Sequence, residues 1–237
     1  MVEVVLVRPR RPANVAAACR AMKNMGLRTL RIVGPPPGLA APGARALAYG
    51  AWDVLDAMSP AATLSEAVAA STLVVGTSSR DSGLAWTPRR LAAEARGQGQ
   101  VSIVFGPESS GLTNNELALC HACVTIPADP AQPSLNLAQA VLIVAYELWV
   151  AGEAPGPAVE PDRATAGEVE GALASLQQAL LRIGYLNPEN PDALLAEIRA
   201  LLARARPTPR EVTLLRGIAR QVLWASGRIA PGGRSGG

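Results

Sequence analysis

Short apolar runs of strand length alternate with stretches of helical spacing through the first two-thirds of the chain. Glu3 to Val7 and Arg28 to Val33 bracket Ala13 to Met25, whose alanine-rich composition and period are helical, and Gly26 closes that helix. This strand, helix, strand order predicts a β-α-β unit and a parallel sheet. Gly34 to Pro42 predicts a surface loop. Ala44 to Ala51 and Leu64 to Ala69 predict helices, with a short strand at Val54 to Met58 between them. Thr72 to Val75 predicts a strand running into the polar turn Gly76 to Arg80. Pro88 opens a helix to Arg96, and Gly97 to Gln100 turns the chain onward.

From Val101 to Trp149 the pattern repeats with unusual regularity. Val101 to Phe105 reads as a strand and Gly106 to Leu112 as a loop. Thr113 stands three residues before Glu116, the spacing of a capping box, and Cys123 to Ile126 reads as a second strand. Pro127, Pro130 and Pro133 keep Ile126 to Ser134 irregular, and Leu135 to Trp149 has the length and spacing of a buried helix. Loops at the carboxyl ends of parallel strands offer free backbone groups and helix N-termini, so ligand binding is expected there.

After Gly152 to Pro161, rich in Gly, Pro, Ala and acids, the strand signals stop. Ala164 to Gly184, Asp192 to Ala205 and Pro209 to Gly227 read as helices. The expected layout is an α/β domain over 1–151, a linker over 152–163, a helical module over 164–229 and a disordered tail over 230–237.

Composition sharpens this picture. Hydrophobic residues make up 49% and charged ones 17%, as in a folded protein with a real core, but aromatics are only 3%. Lys23 is the one lysine, so positive charge is almost all arginine, which suits bidentate phosphate contacts. The net charge of +3 is concentrated, with seven basic residues against one acid between Val2 and Arg31. No apolar stretch is long and uninterrupted enough for a membrane span, no signal pattern opens the chain, and three cysteines make no disulfide framework. A cytoplasmic protein is expected.

The wording of the two central loops is specific. IVFGPESSGLT, from Ile103, and IPADPAQPSLNLAQAV, from Ile126, resemble the second and third motifs of the SPOUT superfamily of RNA methyltransferases, in the branch that methylates ribose. RPRRPANVAAACRAMKNMGL, from Arg8, resembles the first motif, with Ala16 where the family commonly has glycine and Pro107 where close relatives often have arginine. The stretch from Ile183 to Trp224 resembles the C-terminal extension of TrmJ-type tRNA methyltransferases, which act on the ribose of nucleotide 32 in the anticodon loop.

The resemblance implies a Rossmann-like parallel sheet with a C-terminal trefoil knot and a small all-α extension. It implies a homodimer whose pockets are completed by the partner, requiring no other protein and no membrane. It also implies methyl transfer from S-adenosylmethionine to tRNA without a metal. Carried over by position, the donor would sit among Thr77, Ser78, Ser79, Gly106, Ile126, Pro133, Ser134 and Leu135, with Glu108 bracing the second loop or sensing the ligand. Asn14, Arg20, Ser134 and Asn136 would form the catalytic set. Asn14 would be loop-borne at the helix cap, because a six-residue separation from Arg20 need not put both on one face. A guanidinium stays protonated, so Arg20 reads as a clamp on the phosphate beside the target ribose, while Ser134, Asn136 or the phosphate relays the proton.

Other readings stay open: action on ribosomal RNA or another tRNA position, and an RNA-binding paralogue without turnover. Arg204, Arg206, Arg210, Arg216 and Arg220 could grip tRNA or simply face solvent. Cys120, His121 and Cys123 mimic half a metal site but lack a second ligand pair, and read as core and strand-entry residues.

Overall fold

The computed structural model describes residues 1–39, 41–79, 85–152 and 162–228. Arg80, positions 153–161 of the linker expected over 152–163, and the tail expected over 230–237 lie outside the described residues. Six parallel strands form one sheet: β1 (Val2–Val7), β2 (Thr29–Val33), β3 (Ser59–Ala61), β4 (Leu73–Thr77), β5 (Val101–Phe105) and β6 (Ala122–Val124), in the order β3-β2-β1-β5-β4-β6. The helices that join them are α1 (Pro12–Asn24), α2 (Pro42–Leu47), α3 (Trp52–Asp56), α4 (Leu64–Val68), α5 (Pro88–Glu94), α6 (Asn114–Leu117) and α7 (Leu137–Gly152). Then come α8 (Ala166–Arg182), α9 (Asp192–Ala205) and α10 (Pro209–Arg228).

Strand residues alternate between two buried layers, as the period of two requires for a sheet covered on both faces. Val4, Leu6, Val75, Ile103 and Phe105 face a core shared with Val15, Cys19 and Met22 of α1 and with Val141 and Val144 of α7. Val5, Val7, Val74 and Val104 face a second core with Leu64 and Val68 of α4, reached also by Ala166. Glu3 is fully buried on that second face, where its Oε1 accepts from Ser102 Oγ at 2.5 Å and Gln100 Nε2 at 2.9 Å. Arg31 Nε lies 3.5 Å from the other carboxylate oxygen.

Several boundaries differ from the sequence reading, and three of the differences have a plain physical cause. Val54 to Met58 is not a strand: Ala51, Val54 and Leu55 are buried at i, i+3 and i+4, a helical period, so Val54 to Asp56 belong to α3 and the strand follows at Ser59–Ala61 on the sheet edge. There Pro60 costs no central ladder bond. Strand β6 ends at Val124, before Ile126. Asn136 Oδ1 accepts from Ala138 N at 2.9 Å, so α7 starts at Leu137 and Leu135 stays in the loop.

α10 packs along α8, with α9 beside them, around Val169, Leu173, Leu195, Leu202 and Val212. This module is tied to the sheet layer. Ala166 N and Gly167 N, opening α8, donate to Ser71 O at 2.8 Å and Ala69 O at 2.9 Å, just past α4. Arg206, in a left-handed backbone conformation with φ 47°, donates from Nη2 to Gln98 Oε1 at 2.8 Å and lies 3.7 Å from Glu94. The arginines grouped together in the sequence therefore divide. Arg206 is 13% exposed and serves this junction, and Arg216 donates to Glu168 O at 3.0 Å, while Arg204, Arg210 and Arg220 are exposed.

Candidate active site

Three loops leave the carboxyl ends of the adjacent strands β5, β4 and β6 and enclose a cavity of about 310 Å³. Its walls include Thr77 at the end of β4 with Ser78 and Ser79 after it, Gly106 and Glu108 after β5, and Ile126, Pro133, Ser134 and Leu135 after β6. All nine residues assigned to the donor site from sequence thus border one space. The sequence reading did not name Phe105, Leu112, Val124, Leu137 and Ala140, which supply its apolar wall. Phe105 and Leu137 directly adjoin Gly106 and Asn136, which were singled out for the site, whereas Val124 and Ala140 adjoin no such residue.

The loop after β5 closes on itself at Gly106. A Cβ there would lie 2.3 Å from Gly111 C and 2.4 Å from Leu112 N, so only glycine permits the fold-back. Gly111 has φ +65° and its N–H donates to Pro107 O at 2.9 Å. At the next step, Thr113 and Glu116 form the capping box expected for α6. Thr77 spends its hydroxyl on Val104 O at 3.1 Å, so this side chain fixes strand β4 to β5 and does not offer its proton to the cavity.

Glu108 joins this loop to α1. Its carboxylate accepts from Arg10 N at 2.8 Å, Arg11 N at 3.4 Å and Asn14 Nδ2 at 2.7 Å, placing a negative charge at the N-terminus of α1. Burial alone would raise the Glu108 pKa, but the hydrogen bonds from Arg10, Asn14 and Arg11 together hold it below the usual carboxylate range. Asn14 in turn accepts at Oδ1 from Asn136 Nδ2 at 3.2 Å. Residues from the three sequence motifs are thereby linked in one hydrogen-bonded line.

Two placements depart from the sequence reading. Asn14 is not loop-borne but the third residue of α1, because Pro12 starts the helix and Arg11 takes the cap. Arg20 does not border the cavity. It lies with Ala13 and Ala17 on the outer side of α1, exposed, and its side chain has no hydrogen bond or ion pair among the described residues. Ser134 is exposed at the cavity rim. Beside α1, the outer side of α7 carries Leu142, Tyr146, Trp149 and Val150, each 38–52% exposed.

His121 lies away from the cavity. Its Nδ1 accepts from Val74 N at 2.8 Å, replacing a ladder rung where β6 has not yet begun. Burial, and then the nearby Arg206 charge, lower its pKa to about 4. Cys120 Sγ contacts Glu116 O at 3.4 Å, and burial pushes its thiol pKa well up. No group of three or more His, Cys, Asp or Glu side chains suited to a metal occurs among the described residues.

Residues 1–146 match the SpoU rRNA Methylase family, and residues 167–231 match the C-terminal domain of the tRNA methyltransferase TrmJ. The tRNA (cytidine/uridine/adenosine-2'-O-)-methyltransferase TrmJ of Pseudomonas aeruginosa is 40% identical over 92% of this chain and 91% of its own length. The tRNA (cytidine/uridine-2'-O-)-methyltransferase TrmJ of Klebsiella pneumoniae is also 40% identical, covering 93% of this chain and 96% of its own. The crystal structure of TrmJ from Z. mobilis superposes with a TM-score of 0.83 at 35% identity, over 94% of this chain and 99% of that one. The sheet order, the three-loop cavity and these matches over both parts of the sequence lead to one conclusion: the chain belongs to the SpoU methylase family, in its TrmJ branch.

Proposed function

We propose that this chain is an S-adenosylmethionine-dependent tRNA ribose 2'-O-methyltransferase whose target is cytidine or uridine at nucleotide 32 of the anticodon loop. The observation that carries the reading is the three-loop cavity beside the Glu108, Asn14, Asn136 line. The cavity fits the donor on its own terms: the Gly106 fold-back brings bare backbone to its wall, and its polar rim and apolar interior match a nucleoside carrying a charged sulfonium. Phe105, Leu112, Leu137 and Ala140 would cover the adenine, and Gly106, Ile126, Pro133 and Leu135 would hold it through backbone groups. The donor supplies a methyl group already activated on sulfur, so the chain's own task is to place the hydroxyl and handle its proton.

Asn136 has its Nδ2 given to Asn14 and its Oδ1 held by Ala138 N, so it fixes geometry. Ser134, whose hydroxyl has no partner among the described residues, and the RNA phosphate are then the routes by which the ribose proton leaves. Arg20 acts as the phosphate clamp and offsets charge on the ribose oxygen. Its outward position supports a homodimer in which Arg20 of one copy completes the cavity of the other, with the apolar side of α7 as the contact. The return from edge strand β6 into α7, packed on α1 and α5, supports the trefoil knot of the family.

In this reading residues 1–151 carry the chemistry and the helical module over 164–229 adds tRNA contacts through Arg204, Arg210 and Arg220. The enzyme works in the cytoplasm without a metal or another protein. No described helix is long and apolar enough to cross a membrane. Incubating the chain with labelled donor and undermodified tRNA, then mapping the methylated nucleotide by mass, tests the reading. Label at the ribose of nucleotide 32 is the expected result, and label on no tRNA refutes it.

A further inference from the structure

Tyr49, in the turn between α2 and α3, and Trp52, which opens α3, stand on the surface of a chain that has few aromatic side chains at all. Tyr49 is 70% exposed and Trp52 42%. Their rings meet edge to face, centroids 5.7 Å apart and planes at 88°. The backbone beneath them is fixed. Ala48 and Ala51 are buried on either side of Tyr49, Ala51 N donates to Ala48 O at 2.7 Å, and Gly50 turns the chain with φ +77°. Trp52 Nε1 donates to Arg45 O at 3.0 Å, and the Arg45 guanidinium lies 5.9 Å from the Trp52 ring centre. Trp52 is therefore locked from its polar end, while Tyr49 keeps a ring face open to solvent and its hydroxyl has no partner among the described residues.

Burying an aromatic side chain removes a large apolar area from water, so a rigidly held but exposed ring forgoes stabilisation it could have had. The surroundings indicate what covers it. Lys23 and Arg28 sit on Asp53, and Arg45 pairs with Asp56, three cations against two acids. Unpaired Arg20 lies one helical turn before Lys23. Flat aromatic surface bordered by excess positive charge is the chemistry that holds an unstacked base beside its phosphates.

We propose that Tyr49, braced by Trp52, is a stacking platform for an unstacked base of the RNA substrate. This rests on the reading of the chain as a tRNA methyltransferase, and it puts a base-binding site on the flank of α1 that carries Arg20. Stacking adds affinity without neutralising a phosphate, so it shifts the binding constant and leaves its salt dependence alone.

The test measures equilibrium binding of an unmodified tRNA transcript to the full chain across a potassium chloride series, for the wild type, Tyr49→Leu and Tyr49→Phe. Tyr49→Leu is expected to bind about tenfold more weakly on a parallel salt line. Tyr49→Phe stays within about twofold, since the ring face remains. Melting temperature, donor affinity and molecular mass in solution stay unchanged. Wild-type affinity in Tyr49→Leu overturns the platform, as does a changed salt slope, which would mark a phosphate contact. A lowered mass in Tyr49→Leu also overturns it, since a second copy would then be the occupant. Binding needs no turnover: a wild type that binds tRNA but transfers no methyl group refutes the methyltransferase reading alone, and a wild type that binds no tRNA refutes the platform.

Discussion

Asn14 Nδ2 donates to Glu108 Oε1 at 2.7 Å across 94 residues of sequence, tying the first turn of α1 to the loop after β5. Because Nδ2 is taken by a carboxylate, Oδ1 must face Asn136, so the orientation of one amide dictates the next. Glu108 is thus a positioning residue for two loops and a helix start.

Glu108→Gln should lower kcat by one to two orders of magnitude, because the neutral amide can donate to Asn14 and invert the line. Lost charge-assisted bonds to the α1 amides should cost about 1–2 kcal/mol of stability. The carboxyl titrates below its ordinary range, so its stabilisation is complete above that range and disappears as pH falls through the depressed value. Urea unfolding at several acidic pH values checks this. An acid-side decline as steep in Glu108→Gln as in the wild type would remove Glu108 as a contributor.

Gly106→Ala should weaken donor binding by more than about tenfold, since the new methyl lies within 2.4 Å of the Gly111–Leu112 peptide and the loop must open. Calorimetric titration with the donor measures it. Wild-type affinity would mean the fold-back is not part of the donor's seat.

Arg20→Ala should leave melting within about 0.5 kcal/mol of the wild type, because the side chain is exposed and unpaired, and should leave donor affinity unchanged. Turnover on tRNA should fall at least about a hundredfold. Arg20→Lys keeps the charge and loses the fork, so near-normal turnover at saturating RNA would argue against a bidentate clamp.

His121→Gln tests a pH response. The native ring stays neutral down to about pH 4 so that Nδ1 can accept from Val74 N–H, whereas the unfolded chain takes up a proton near the ordinary histidine value. The His121 contribution is therefore complete above that ordinary value and declines as pH drops toward 4. Glutamine can accept but does not titrate, so the fall of stability with acidification should be shallower by about 1 kcal/mol per pH unit in this window. Equal slopes would show that the ring is not held neutral.

Tyr146→Glu combined with Leu142→Glu should convert a dimer to monomers and abolish methyl transfer, while each folded copy still binds the donor. Light scattering and donor titration separate these effects. A wild type that is itself monomeric at working concentration would defeat the dimer proposal.

Local pattern carried the sequence reading furthest where the physics is local. Apolar runs followed by glycine and proline marked the strand ends and loops, while the resemblance to the family motifs supplied the residues that line one cavity. The error at Val54 arose because five apolar-rich residues fit a strand as well as a turn of helix until Ala51 is seen to share their buried face. The Asn14 to Asn136 bond joins residues 122 apart, and no spacing rule predicts such a contact. Arg206 looked like its exposed neighbours in sequence. Its burial comes from Gln98 and Glu94, more than a hundred positions earlier.

The two amides that open α8 terminate on carbonyls just beyond α4, and Ala166 enters the same core as Val68. Trimming the chain back to the catalytic part would strip a lid from apolar surface and orphan two acceptors. The helical extension is consequently no interchangeable cassette. Grafting it onto another methyltransferase, or swapping in a different helical module, would require resurfacing the seam around Ala69 and Ser71.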